Sequence, residues 1–113
     1  MEQRDIVWIK LPFSNFEGEK IRPGLVVSND SYNSKNPDIV ICAITSKLEE
    51  RPYSVPLYQK NLREGNLPVE SRIKADKIMQ VEKSRVIRPF AKLSNETFQL
   101  VVSEIKRLIG TEK

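Results

Sequence analysis

Arg22 stands at the mouth of one apolar run, Arg22-Pro-Gly-Leu-Val-Val-Ser-Asn-Asp30, and Thr45 stands at the exit of another, Ile39-Val-Ile-Cys-Ala-Ile-Thr-Ser46. Delivered by adjacent strands, the two suit a phosphodiester. The guanidinium forks onto phosphate oxygens and the hydroxyl orients one of them. Cleaving such a bond in RNA needs a base for the 2′-hydroxyl proton, positive charge for the phosphorane-like transition state and an acid for the leaving oxygen. The chain contains no histidine. That excludes histidine acid–base catalysis, histidine triads and the common zinc sites. Carboxylates, lysine and arginine remain. Glu17, Glu19 and Asp76 are the candidate carboxylates, and Lys20, Lys47, Lys74 and Lys77 are candidates to line a phosphate track. No three histidine, cysteine or carboxylate ligands assemble from local spacing, so no metal or other cofactor is expected.

Each of these residues also has an ordinary structural reading. Arg22 can pair with a surface carboxylate. Thr45 and Ser46 are common turn formers at a strand exit. Lys74, Asp76 and Lys77 can form a solvated charged edge that discourages sheet aggregation. Trp8 reads as core rather than as a base-stacking platform. Phe13 and Phe16, in a loop, can stack on nucleotides or fold back onto the core.

Short strands must position the candidates. Ile6-Val-Trp-Ile9 is the first, and Leu11 to Glu19, with Pro12, Ser14, Asn15 and Gly18, reads as a loop. Ile21 to Ser28 is the second strand. Residues 29–33 form a turn or one helical turn. Asp38 to Thr45 is nearly all apolar and is expected to be buried on both faces. Arg51 to Leu57, between prolines, suggests an edge strand, and Tyr58 to Pro68 a loop. Val69 to Ala75 and Lys77 to Val81 are two strands, or one strand bent around Asp76. The last segment is helical. Ser94 is the expected N-cap, with Leu93 and Phe98 as a hydrophobic staple. Phe98, Val101, Val102, Ile105, Leu108 and Ile109 fall on one face, and Gly110 is placed to end the helix at C′. Strands followed by one amphipathic helix imply a mainly β fold: a small curled sheet or barrel with the helix packed on it.

The chain has 113 residues, 39% apolar and 30% charged, which suits one globular domain spanning residues 1–113. Nineteen basic against fifteen acidic residues give a mild excess of +4, which permits a polyanion partner without requiring one. No apolar run is long enough for a membrane helix, and the first residues lack a signal peptide's apolar core. A single cysteine, Cys42, fits a reducing cytoplasm and reads as a small core residue rather than a nucleophile.

Taken in order, several segments resemble the MazF/PemK family of toxin endoribonucleases. Asp5-Ile-Val-Trp-Ile9 resembles the family's opening strand, with Arg4 where a glycine is usual. The segment from Arg22 to Asp30, followed by Tyr32-Asn33, resembles its arginine–proline strand, and Ile41-Cys-Ala-Ile-Thr-Ser46 its strand ending in Ile-Thr. Gly65-Asn-Leu-Pro-Val-Glu-Ser71, Ile73-Lys-Ala-Asp76, Lys83-Ser-Arg-Val86 and the final helix follow where expected. The resemblance implies an SH3-like β-barrel with a C-terminal helix, working as a cytoplasmic homodimer held in check by a cognate antitoxin. It implies metal-independent cleavage of single-stranded RNA at short sequences, leaving a cyclic phosphate and a 5′-hydroxyl. It assigns catalysis to Arg22 and Thr45. In the PemK-like branch an arginine and an aspartate also contribute, at the positions that Lys74 and Asp76 hold here, and RNA contacts are expected from Glu19, Lys20, Ser46, Lys47, Lys74, Asp76 and Lys77. The chain departs from the family where Asp76-Lys-Ile-Met-Gln80 replaces the frequent Asp-Gln-Ile-Arg-Thr, and it lacks the first-loop histidine of some relatives. Two other functions compete. One is a non-cleaving RNA-binding barrel of the same fold. The other is a gyrase poison like CcdB, which depends on a C-terminal tryptophan, glycine and isoleucine; this chain ends Gly110-Thr-Glu-Lys113.

Overall fold

A computed structural model describes residues 1–12 and 18–112. Seven strands form one antiparallel sheet: β1 (Asp5–Pro12), β2 (Glu19–Val26), β3 (Asp38–Thr45), β4 (Ser54–Leu57), β5 (Leu62–Gly65), β6 (Ser71–Glu82) and β7 (Val86–Leu93). Their spatial order is β4-β6-β3-β2-β1-β7-β5. A short helix, α1 (Asp30–Lys35), links β2 to β3, and α2 (Asn95–Ile109) closes the chain. The sheet curls like a barrel without closing, so the mainly β fold with a C-terminal helix is as the sequence implied.

Curling gives the central strands two buried faces. Ile6, Leu25, Cys42, Leu57, Ile73 and Leu93 pack under α2 with Phe98 and Val101. Val7, Ile9, Val26, Ile39, Ile41 and Val81 form a second core on the opposite face. Strand β3 serves both, as its unbroken apolar run requires. Ser94 caps α2 by accepting a hydrogen bond from the Thr97 amide at 3.2 Å. Leu93 and Phe98 meet in the core below it. The helix outruns its support: Val102 and Ile105 reach the core, whereas Leu108 and Ile109 are exposed. Gly110 ends the helix as its C-cap, at φ −71°, without the left-handed turn expected of a C′ glycine. No helix among the described residues is long and apolar enough to cross a membrane.

Two strands are absent from the sequence reading. β5 lies inside the expected loop because its four residues, Leu-Arg-Glu-Gly, carry no apolar alternation. β7 is masked by Pro89 and by the exposed Ile87 and Arg88. The sheet accommodates them through two register shifts against β1. Residues 69 to 81 resolve into the single bent strand β6. Trp8 is half-buried and stacks on Phe90, ring centroids 4.4 Å apart. Phe13, Phe16 and Glu17, with most of the first loop, lie outside the described residues.

Gly65 holds the β5–β7 edge together at φ +87°. A Cβ there would sit 2.3 Å from the Phe90 carbonyl oxygen and 2.7 Å from the Ala91 Cα, both backbone atoms that cannot swing aside. Gly18 has a similar φ of +98° but open space around it. Gly65→Ala is therefore expected to cost at least about 2 kcal/mol, and Gly18→Ala only the left-handed penalty of roughly 1 kcal/mol. Thermal denaturation of the two variants checks this, and equal melting temperatures would refute it. Cys42 gives a second test. It is fully buried, and its thiol is pushed up to about 12 by burial and, secondarily, by the Asp76 carboxylate. At pH 8 a thiol reagent is expected to leave the native protein unlabelled and to modify it fully in denaturant. As pH rises through the ordinary thiol pKa, ionisation in the unfolded chain alone is expected to lower stability.

Candidate active site

Strands β2 and β3 pair antiparallel with Val26 opposite Ile41, Leu25 opposite Cys42 and Gly24 opposite Ala43. Side chains on one face recur every second residue. On the face of the second core, β2 runs Val26, Gly24, Arg22, and β3 runs Ile41, Ala43, Thr45. Both strands pass from buried aliphatic through small to polar, so Arg22 and Thr45 emerge together where the core ends. β6 continues the layer, with Lys74 opposite Ala43 and Arg72 opposite Thr45.

β6 then breaks register. Cys42 faces Ile78 while Ala43 faces Lys74, which leaves Ala75, Asp76 and Lys77 without partners on β3. Ala75 turns into the core, and Asp76 and Lys77 are thrown outward. The amide of Ala75 donates instead to the Tyr53 carbonyl at 2.9 Å. Tyr53 adopts a left-handed φ of +58° to present that carbonyl. Its ring lies under the Arg107 guanidinium, 5.2 Å from the centroid.

These placements make a cleft of about 410 Å³. Arg22, Thr45, Lys47, Lys74, Asp76 and Lys77 all line it. Glu19, Lys20 and Ser46 do not; Glu19 instead pairs with Arg85 at 3.1 Å, on the other side of β2's first residues. The lining also includes Glu49, Arg51, Ser54 and Arg72, which the sequence reading left out of the site. Arg72 was legible by period: it sits two residues from Lys74 on the same strand face. Arg51 and Glu49 lie in an irregular segment that no periodicity places.

The cations of the cleft are little neutralised. Arg22 donates from Nη1 to the neighbouring Ile21 carbonyl at 3.1 Å and has no carboxylate partner among the described residues. Lys47, Lys74, Lys77 and Arg72 likewise have none. Arg72 is fixed by Ser54, donating from Nε to the hydroxyl at 2.9 Å. Arg51 and Glu49 make a loose, exposed pair at 3.7 Å. The Thr45 hydroxyl oxygen accepts from the Lys47 amide at 3.2 Å, so its own proton stays available to an oxygen in the cleft. Six cations against two carboxylates give a concave surface suited to a polyanion. Among the described residues, no three His, Cys, Asp or Glu side chains gather as metal ligands do.

The fold has close relatives in shape. A MazE–MazF complex from Deinococcus radiodurans matches with TM-score 0.82 and 23% identity, over 99% of this chain and 97% of that one. An endoribonuclease in complex with its cognate antitoxin from a mycobacterial species matches with TM-score 0.81 and 17% identity, over 100% and 98%. The Mycobacterium tuberculosis toxin MazF-mt6 matches with TM-score 0.78 and 15% identity, over 97% and 100%. At these identities the likeness is one of fold. The sequence carries the assignment further: residues 2–109 match the family model of PemK-like, MazF-like toxins of type II toxin–antitoxin systems, and the chain belongs to that family.

Proposed function

We propose that the protein is an endoribonuclease toxin that cleaves single-stranded RNA at short sequences without a metal. The observation that carries this reading is the convergence in one cleft of Thr45, Asp76, Arg22 and three lysines, the four cations having no carboxylate partner among the described residues. Asp76 is the base. The cleft's other carboxylate, Glu49, is more than three-quarters exposed and leans on Arg51. Asp76 takes the 2′-hydroxyl proton, and the 2′-oxygen attacks phosphorus. Arg22 forks onto the non-bridging oxygens as charge accumulates there, and the Thr45 hydroxyl donates to one of them. The bond from phosphorus to the 5′-oxygen breaks. Lys74, half-buried in the cleft, gives that oxygen its proton. The products are a 2′,3′-cyclic phosphate and a 5′-hydroxyl.

The protein acts as a homodimer in this reading. One small sheet offers little surface to a strand of several nucleotides, and the exposed apolar side chains Ile21, Leu48 and Ile78 each adjoin a cleft cation in sequence. A cognate antitoxin inhibits it by laying an acidic or amphipathic segment across the cleft, in competition with RNA. Two relatives of this fold are antitoxin complexes.

Arg22→Ala is expected to lower turnover about a hundredfold or more, the scale for losing one preorganised electrostatic contact. Arg22→Lys should recover part of that, since it keeps the charge and loses the fork. Thr45→Val should lose less than Arg22→Ala. A folded Arg22→Ala protein that cleaves at the wild-type rate would remove the assignment. Lys77→Ala should chiefly weaken RNA binding and reduce the salt slope by about one. Chelator should leave cleavage of a long unstructured RNA intact. Activity that vanishes with chelator and returns with magnesium would overturn the metal-free mechanism. Binding of the same RNA without turnover would favour a non-cleaving barrel.

A further inference from the structure

A second groove, about 510 Å³, runs from the cleft to the last turns of α2. Its walls are residues 50–54, Arg72, Glu104 and Arg107. Arg51, Pro52, Ser54 and Arg72 line both concavities, so the two are continuous. Lys74 and Arg72 project from the same face of β6 two residues apart, about 6.8 Å along the strand. That spacing is comparable to the step between successive phosphates of an extended single strand. Ser54 holds the Arg72 guanidinium by its Nε hydrogen and by a longer contact from Nη2 to the Ser54 carbonyl at 3.4 Å. The charge is therefore in place before any ligand arrives.

Beyond Arg72 the chemistry changes from phosphate-binding to base-binding. Arg107 is held on two sides. Its Nη1 donates to both Glu104 carboxylate oxygens, at 2.7 and 3.0 Å, and its guanidinium carbon lies over the Tyr53 ring, 5.2 Å from the centroid. Its charge is largely answered by Glu104, and what it offers is a planar guanidinium held beside an aromatic ring. Such a platform stacks a nucleobase irrespective of its identity. Glu50 and Glu104 also line the groove, and a further phosphate beside them would meet like charge.

We infer that this groove is a subsite for one nucleotide flanking the scissile step, its phosphate on Arg72 and its base on the Arg107–Tyr53 platform. The inference rests on the ribonuclease reading for the identity of the ligand, and its test is independent of cleavage. Single-stranded oligonucleotide pools of increasing length, 2′-fluoro-substituted to remove the nucleophile, are titrated by fluorescence anisotropy. Wild-type affinity should rise with length to a plateau. Arg107→Ala should lower that plateau on the order of tenfold, the scale of one stacked base, and reach it at a shorter length. Arg107→Lys should restore neither, because the flat face is gone. Tyr53→Phe should retain the wild-type plateau, because the ring is what stacks. A plateau and saturating length unchanged in Arg107→Ala would overturn the subsite. So would a loss of equal size at every length, which reports only a general charge effect. If Arg22→Ala abolishes cleavage while Arg107→Ala leaves the titration unchanged, the ribonuclease reading stands and the subsite falls. Wild-type protein that leaves RNA uncut while Arg107→Ala lowers and shortens the titration would remove the ribonuclease reading and keep the subsite.

Discussion

The register of β2, β3 and β6 is the constraint on which the site depends. A one-residue slip in either pairing would turn every side chain to the opposite face. Arg22 and Thr45 would then be turned away from the cleft and toward the core under α2. The register is secured by the aliphatic residues behind the site: Val26, Ile39 and Ile41 fill one core while Leu25 and Cys42 fill the other. Burial on both faces allows no shifted solution. The positions of two polar side chains at the sheet's end are thus set by apolar side chains in its middle. Of the pair between, Ala43 lines the cleft, while the space beside Gly24 is filled by the Ile41 and Ile9 side chains of the second core.

The bulge in β6 interrupts the ladder at the site itself, and it is compensated. Three residues without β3 partners would leave a buried amide at Ala75 unsatisfied, a loss of about 1–3 kcal/mol. The Tyr53 carbonyl meets that amide, at the cost of a left-handed tyrosine. A left-handed non-glycine residue carries on the order of 1–2 kcal/mol of strain. The two magnitudes are similar, so the local conformation is close to neutral, and the packing of Arg107 on the Tyr53 ring favours it further. A regular ladder would have aimed Asp76 and Lys77 alternately up and down. The bulge instead puts both in the cleft, with Lys74 beside them.

Strands with strong apolar periodicity were legible from the residues: β3 has the bounds the sequence set for it, and the α2 cap and staple follow from Ser94, Leu93 and Phe98. β5 and β7 were not. Their pairing is decided by partners far along the chain, and the local signals of Pro89 and of the Leu-Arg-Glu-Gly segment point away from a strand. The same division holds within the site. Arg22, Thr45 and Lys74 lie on regular strands whose period aims them. Arg51 and Glu49 reach the cleft through an irregular segment, and nothing in their own neighbours in sequence sets that direction. Glu19, an expected RNA contact close to Arg22 in sequence, lies outside the cleft lining, and its side chain pairs with Arg85.

The charge distribution completes the physical case. The whole chain carries +4, and the cleft, with six cations and two carboxylates, carries the same excess by itself. The remaining surface is balanced, so the asymmetry is spatial rather than compositional, and a near-neutral overall balance conceals it. Gathering these cations costs little while they are solvated, because at physiological salt charges more than about 8 Å apart are largely screened. It would cost more if the cleft closed and dried. The arrangement is therefore stable only while open to water or filled by anions. A polyanion that enters exchanges that water for fixed charges already in position. Arg72, tethered to Ser54, and Thr45, tethered to the Lys47 amide, need no reorganisation to receive it. The same preorganisation explains why an uncharged wall would not serve. Its apolar surface would close on itself, and the sheet would gain a larger core at the expense of its basic cleft.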